Sequence, residues 1–219
     1  TRQKNACLKT RLYPSPKTKK TAISKARGLF KMHKQLRLFL TIDSFFILAM
    51  GMFSPIYAIF VQKIGGDILT AGAAWSLFMI VSGVGILAMG KIQDKIKREK
   101  PVIITGYVLR CLSFLGYFFV SSVTQLFVIQ LLLGLSIVII TPAYDSFYTK
   151  YLEKGKFASQ WAVWEATWHI ITGVAALIGS FLVKIFSFRV LFLVMFATSL
   201  FGLLLTTQLR EKNEHKAID

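Results

Sequence analysis

The sequence predicts an all-α integral membrane protein with six transmembrane helices and both termini in the cytoplasm. Three observations carry that prediction: segregated charge, the length of the apolar runs, and the placement of basic residues between them. The 219-residue chain is 54% hydrophobic yet has a formal net charge of +17. A soluble domain of this length does not combine the two unless they are separated along the chain. They are separated here. Twelve of the 27 Lys and Arg residues precede Leu38, a stretch without one acidic residue, and most others fall in short gaps between apolar runs.

A membrane-crossing helix needs about 20 mainly apolar residues. Six runs meet this: Leu38–Phe60, Ala71–Met89, Val102–Val120, Leu126–Phe147, Trp161–Val183 and Val190–Leu205. The ten-residue alternating strands of a closed barrel are absent. The chain therefore divides into a basic tail or linker (1–37), a six-helix domain (38–209) and a C-terminal tail (210–219). Loops that stay in the cytoplasm retain Lys and Arg. With the N-terminus inside, 23 basic residues fall inside and only Lys63, Lys184 and Arg189 outside, with Arg110 within a span.

The basic leader lies on anionic headgroups in this reading, in preference to nucleic acid, with Thr21–Leu38 as a short amphipathic helix. Cys7 and Cys111 sit in different environments and read as free thiols. The leader is too long and polar for a secretory signal and lacks a small-residue cleavage site. No initiator Met begins the chain, so the leader also reads as the central linker of a longer protein.

In the first span, Asp43, Met50, Ser54 and Tyr57 share one helical face, and Pro55 is placed to bend it. The third span carries Arg110. In the fourth, Gln130, Gly134, Thr141, Asp145 and Tyr148 recur at spacings that put them on one face, as a cavity wall would. In the fifth, Trp161, Glu165, Trp168 and His169 share a broad face, which Gly173, Ala176 and Ser180 continue as a small-residue seam. Trp161 suits interfacial anchoring and the deeper Trp168 does not. Ionisable residues in spans default to function. At about 1.5 Å per residue, Asp43, Arg110, Asp145 and Glu165 lie at similar depth in the cytoplasmic half, so an ion-pair network is expected. His169 falls near the midplane and reads as a packing residue before a proton site.

Between the second and third spans, "GKIQDKIKREKP" (90–101) packs seven charges into twelve positions. Topology alone does not require its order of Gly, three residues, Asp, then bases. The stretch resembles the loop between helices 2 and 3 of the major facilitator superfamily, G-x-L-x-D-[R/K]-x-G-R-[R/K]. Gly90, Asp94, Lys95 and Arg98 fall in register, whereas Lys97 replaces a glycine and Glu99 a base. "QLLLGLSIVIITPAYDSFY" looks like that family's helix 4, with Gln130 where many proton-coupled members have Arg. "GVAALIGSFLVKIFSFRVLFL" is similar to its glycine-rich fifth helix and the turn after it.

The resemblance implies one half of a twelve-helix carrier, with Gly90, Asp94, Lys95 and Arg98 latching one conformation. It also implies a cavity lined by helices 1 and 4, for which Ser54, Tyr57, Gln130, Thr141, Asp145, Trp168 and His169 are the candidates. The implied function is transport of a small solute across the plasma membrane by alternating access, by a homodimer or with a second six-helix half. A non-transporting scaffold and a severed C-terminal half are the alternatives. No H-E-x-x-H, G-x-S-x-G or phosphate-binding glycine loop is present, so the reading is not an enzyme and carries no metal or cofactor. A channel filter is missing as well.

Overall fold

The computed structural model describes residues 32–211. The leader up to residue 31, including Cys7 and most of the Thr21–Leu38 stretch, and residues 212–219 of the C-terminal tail lie outside the described residues. The first span is α1 (Lys34–Phe53), a 3₁₀ turn (Ser54–Ile56) and α2 (Tyr57–Lys63). The others are α3 (Ile68–Gln93), α4 (Glu99–Phe119), α5 (Val123–Lys150), α6 (Phe157–Ile185) and α7 (Phe188–Thr206). These make six segments long and apolar enough to cross a membrane, one over each run expected from the sequence. Pro55 lacks an N–H and interrupts the first span, whereas α5 passes through Pro142 without a break.

Helix starts differ by side. Asp67 caps α3, Ser122 caps α5 and Ser187 caps α7, each accepting a backbone N–H from the first turn. Hydrogen bonds from the Thr70 hydroxyl and then its backbone hold the Asp67 carboxyl below the usual carboxylate range. At the other side, where the 90–101 hairpin lies, Arg98 and Lys156 occupy the N-cap positions of α4 and α6 and make no capping bond. Among the described residues on that side, only α1 has a side-chain cap, His33 Nδ1 accepting the Gln35 N–H at 3.2 Å.

Both ends of the described chain lie on the hairpin side. Lys100 Nζ donates to the carbonyls of Thr207 and Leu209, each at 2.7 Å, and so satisfies orphan acceptors after α7. The Lys100 N–H donates to Glu211 Oε1 at 2.8 Å. The Arg210 N–H donates to Gln35 at 3.0 Å, and the Tyr151 hydroxyl to the Arg210 carbonyl at 2.5 Å.

The packing obeys an exchange. α3 and α4 pack on α5, α6 and α7 pack on α1, and α4 meets α7. Swapping the first span with the fourth, the second with the fifth and the third with the sixth maps these pairs onto one another. Spans one and four run in opposite directions, so the two three-helix units form an inverted repeat. Close contacts repeat in the same way. A Cβ on Gly85 of α3 would strike Val138 of α5, and one on Gly51 of α1 would lie 2.9 Å from the Ala175 Cβ of α6.

Between the units lies an aromatic core, where Phe53 sits 5.0 Å from Tyr117 and 5.1 Å from Phe192, ring centre to ring centre. α3 and α6 bury the smallest share of their surface. The α6 seam expected from the sequence faces outward: Gly173 and Ser180 are exposed and Ala176 is half-buried, whereas Ala175 and Gly179 beside it pack on α1, Gly179 against Met52; Gly83 of α3 also faces open space.

A Cβ at Gly179 would run into the Met52 backbone carbonyl, which cannot swing aside. We predict that Gly179→Ala lowers stability by about 1–3 kcal/mol, read as thermal unfolding in detergent. Gly83→Ala and Gly173→Ala should be neutral or stabilising, because each adds a methyl group to open space and removes backbone freedom. Equal losses at all three positions would contradict this packing.

Candidate functional site

Asp43 of α1 is 7% exposed and joins four helices. Its Oδ2 accepts from the Tyr144 hydroxyl of α5 at 3.2 Å and from Trp164 Nε1 of α6 at 3.2 Å. Its Oδ1 accepts a longer bond from the Tyr107 hydroxyl of α4 at 3.5 Å. Arg110, half-buried on α4, is close enough for its charge to act on Asp43 but makes no direct ion pair among the described residues. Its guanidinium lies 5.8 Å from the Phe46 ring and 5.9 Å from the Tyr107 ring, which stack on each other at 3.9 Å. A carboxylate surrounded by three donors, with a cation held over two ring faces, lets two charges remain at membrane depth.

Across the exchange, a neutral counterpart occupies the opposite half of the membrane. Gln130 of α5 is fully buried, and its Nε2 donates to the Tyr57 hydroxyl at 2.6 Å. Trp75 packs tilted on Tyr57 at 5.8 Å, and Trp164 on Tyr144 at 6.0 Å. The sequence holds the signal for this in "SPIYAIF" (54–60) and "TPAYDSF" (141–147), both [S/T]-P-x-Y-x-x-F. Asp43 and Gln130 each stand twelve residues before the proline of their repeat. "VSGVGIL" (81–87) and "ITGVAAL" (171–177) match between α3 and α6. Reading the spans singly misses both pairs. Each tyrosine thus reaches across to the polar residue of the other span, once on each side of the midplane.

The four charges expected to meet do not converge. Asp43 and Arg110 come together, while Asp145 and Glu165 are exposed elsewhere. The reason is helical geometry. Asp145 follows Tyr144 and Glu165 follows Trp164, and neighbours in a helix point about 100° apart. With Tyr144 and Trp164 turned to Asp43, the two acids turn away. Asp145 has no hydrogen-bond or ion-pair partner among the described residues. Glu165 lies 3.9 Å from His169 Nε2, one turn along α6. Trp168 is 41% exposed and sits edge-on to His169.

On the fourth-span stripe, Gln130, Gly134 and Tyr148 are buried inside the six-helix unit, Thr141 is half-buried, and only Asp145 is open. Gly134 presses on Phe78, Val81 and Ser82 of α3. The stripe drifts round the helix, because spacings of three and four only approximate 3.6 residues per turn. Ser54 is exposed at the break in the first span, beside buried Tyr57.

At the hairpin, Asp94, Lys95 and Arg98 are exposed, and Gly90 is half-buried with open space where a Cβ would stand. The acid engaged inside this unit is Glu99, 4% exposed, which stands where the resembling pattern has a base. Its Oε1 accepts from Lys150 Nζ at 2.6 Å and from the Ser146 hydroxyl at 3.0 Å, tying the start of α4 to the end of α5. Beside it opens a cavity of about 390 Å³ lined by residues of all three segments, among them Gly90, Gln93, Asp94, Pro142 and Ser146. Gln93 is 6% exposed, and neither of its amide atoms has a partner. No group of three metal-ligating side chains occurs among the described residues.

A six-helix inverted repeat with this hairpin is the architecture of a transporter half. The Major Facilitator Superfamily model matches residues 40–218, and the chain belongs to that superfamily. It is also 24% identical over 146 residues to a protein of Methanocaldococcus jannaschii described as an uncharacterized MFS-type transporter. That match takes in 67% of this chain and 38% of the relative, so the chain spans about two fifths of the relative's length. The protein is a multi-pass integral membrane protein of a transporter family.

Removing Arg110 should strand the Asp43 carboxylate in a low-dielectric site. Arg110→Met is expected to cost about 3–5 kcal/mol in the unfolding free energy. Adding Asp43→Asn, which keeps the size and an acceptor while removing the charge, should recover much of that loss. Additive losses in the double variant would show that the two charges are uncoupled.

Proposed function

We propose that the chain is one six-helix half of a carrier that moves a small solute across the plasma membrane by alternating access. The hairpin and both chain ends face the cytoplasm in this reading, as the excess of Lys and Arg on that side favours. Membership of the superfamily is the observation that carries it, and the crossed tyrosine contacts support it. Tyr144–Asp43 clasps spans one and four on the hairpin side, and Tyr57–Gln130 clasps the same spans on the other. A unit related to itself by inversion has two near-equivalent ways to open, one towards each side.

The cavity candidates take their place around these clasps: Tyr57 and Gln130 at one, Thr141 and Asp145 flanking Tyr144 of the other, Ser54 at the break. Trp168, His169 and Glu165 lie on the open face of α6. Charged groups at that depth are costly against lipid and far less so against a second half or a water-filled path. The open faces of α3 and α6 and the relative's greater length both favour a second six-helix half, supplied by another copy or by more chain. Gly90, Asp94, Lys95 and Arg98 then act as the latch, with the cavity beside Gln93 as the seat of whatever they hold.

Single cysteines test the orientation without knowledge of the solute. Impermeant thiol reagents applied outside should label positions near Gly66 and Ser122 and spare Gln93 and Gly155; labelling at Gln93 would reverse the topology. Asp94→Asn keeps size and loses charge. It should change sided accessibility and liposome flux severalfold at unchanged expression, and wild-type behaviour would reduce the hairpin to a topology signal. A protein that moves no solute in liposomes would point to the scaffold reading.

A further inference from the structure

We propose that a cavity formed where spans one, four and six end holds the phosphate of an anionic lipid headgroup, with Arg210 as its cation. The cavity has a volume of about 470 Å³ and lies between the start of α1, the end of α5 and the chain leaving α7. α1 begins at Lys34, α5 ends at Lys150 and α7 ends at Thr206. The site therefore stands where three spans leave the apolar layer, which is the depth of lipid headgroups whichever side this end faces. It is separate from the cavity at the hairpin, and Lys150 is the residue common to both linings.

The charges around it are engaged, except one. Lys150 Nζ lies 2.6 Å from Glu99 Oε1, and Glu153 Oε2 accepts from Lys156 Nζ at 2.6 Å. Glu211 is turned to the start of α4, where it accepts the Lys100 N–H at 2.8 Å. The Arg210 guanidinium has no hydrogen bond or ion pair among the described residues, yet the residue lines the cavity. Its backbone is held on both sides. The N–H donates to Gln35 Oε1 at 3.0 Å, and the carbonyl accepts from the Tyr151 hydroxyl at 2.5 Å. A cation fixed at its root and unused at its tip is suited to an anion from outside the chain, and the planar fork of a guanidinium matches a phosphate.

His33 supplies a second donor. Its Nδ1 accepts the Gln35 N–H at 3.2 Å, which places the ring proton of the neutral form on Nε2, an atom with no partner among the described residues. The His33 ring packs on Tyr151 at 5.0 Å between centres, and Leu152 continues that wall. The lining thus joins a cation, a neutral donor and apolar surface. A phosphodiester with acyl chains attached uses all three, whereas inorganic phosphate leaves the apolar wall unused.

The test takes the whole chain in dodecyl maltoside and follows unfolding temperature against added lipid. Short-chain phosphatidylglycerol should raise it saturably; phosphatidylcholine of the same chains and inorganic phosphate should not at equal concentration. Arg210→Gln should raise the half-saturating concentration about tenfold, the loss of one charge-assisted contact, and Arg210→Lys should recover part of it. Lys154→Gln removes a charge from an exposed residue at the same end that does not line the cavity, and should leave the titration unchanged. Because Arg210 is gripped by its backbone, Arg210→Gln should unfold at the natural temperature without lipid. If it does not, phosphatidylglycerol retained from mixed micelles, counted by native mass spectrometry, makes the same comparison between the variants. Equal losses in Arg210→Gln and Lys154→Gln would show diffuse attraction to a basic surface. Equal responses to phosphatidylcholine would show an apolar effect, and equal responses to inorganic phosphate a soluble ligand. Each of these, or no response to phosphatidylglycerol, overturns the proposal; none of them bears on whether the chain carries a solute.

Discussion

A charge inside a membrane cannot be left alone, and the arrangement around Asp43 follows from that constraint. The carboxylate takes donors from Tyr107, Tyr144 and Trp164, so α1, α4, α5 and α6 are registered against one another at one point. Arg110 balances it from above the Phe46 and Tyr107 rings without touching it. Between helices in lipid there is little hydrophobic drive to fix register, because tails and side chains are alike apolar. Polar contacts and close glycine packing, as at Gly51 and Gly179, carry that task.

The inverted repeat explains why the same device appears twice with different chemistry. Tyr57 and Tyr144 occupy equivalent places, yet one reaches a glutamine and the other an aspartate. The charged clasp lies on the side that holds the basic hairpin and the collar made by Lys100, Tyr151 and Arg210. The neutral clasp lies next to the Ser54–Ile56 break. One end of the unit is therefore bound by several polar links between segments, and the other mainly by aromatic packing around Phe53 and Phe192.

At the hairpin, an acid forms a strut between the start of α4 and the end of α5. Glu99, where the resembling pattern has a base, reaches Lys150 and Ser146 at the end of α5. Asp94 has no partner among the described residues and lines the cavity beside Glu99. An acidic residue inside a basic cluster was visible in the sequence. That it was the buried one was not, because burial there depends on where the end of α5 falls.

Much of the fold could be read from residues alone. Six apolar runs of spanning length, the segregated charge and the hairpin order are properties of the chain, because a bilayer accepts only segments that satisfy their own backbone hydrogen bonds. The break at Pro55 was legible for the same local reason. Tertiary structure decided which ionisable groups meet. Shared depth suggested that Asp43, Arg110, Asp145 and Glu165 converge, but depth is one coordinate, and helix rotation and neighbour choice supply the others. Turning α5 and α6 so that Tyr144 and Trp164 face Asp43 necessarily turns Asp145 and Glu165 away by about 100°. Which residue of such a neighbouring pair faces inward is decided by packing between helices, and no single span contains that information.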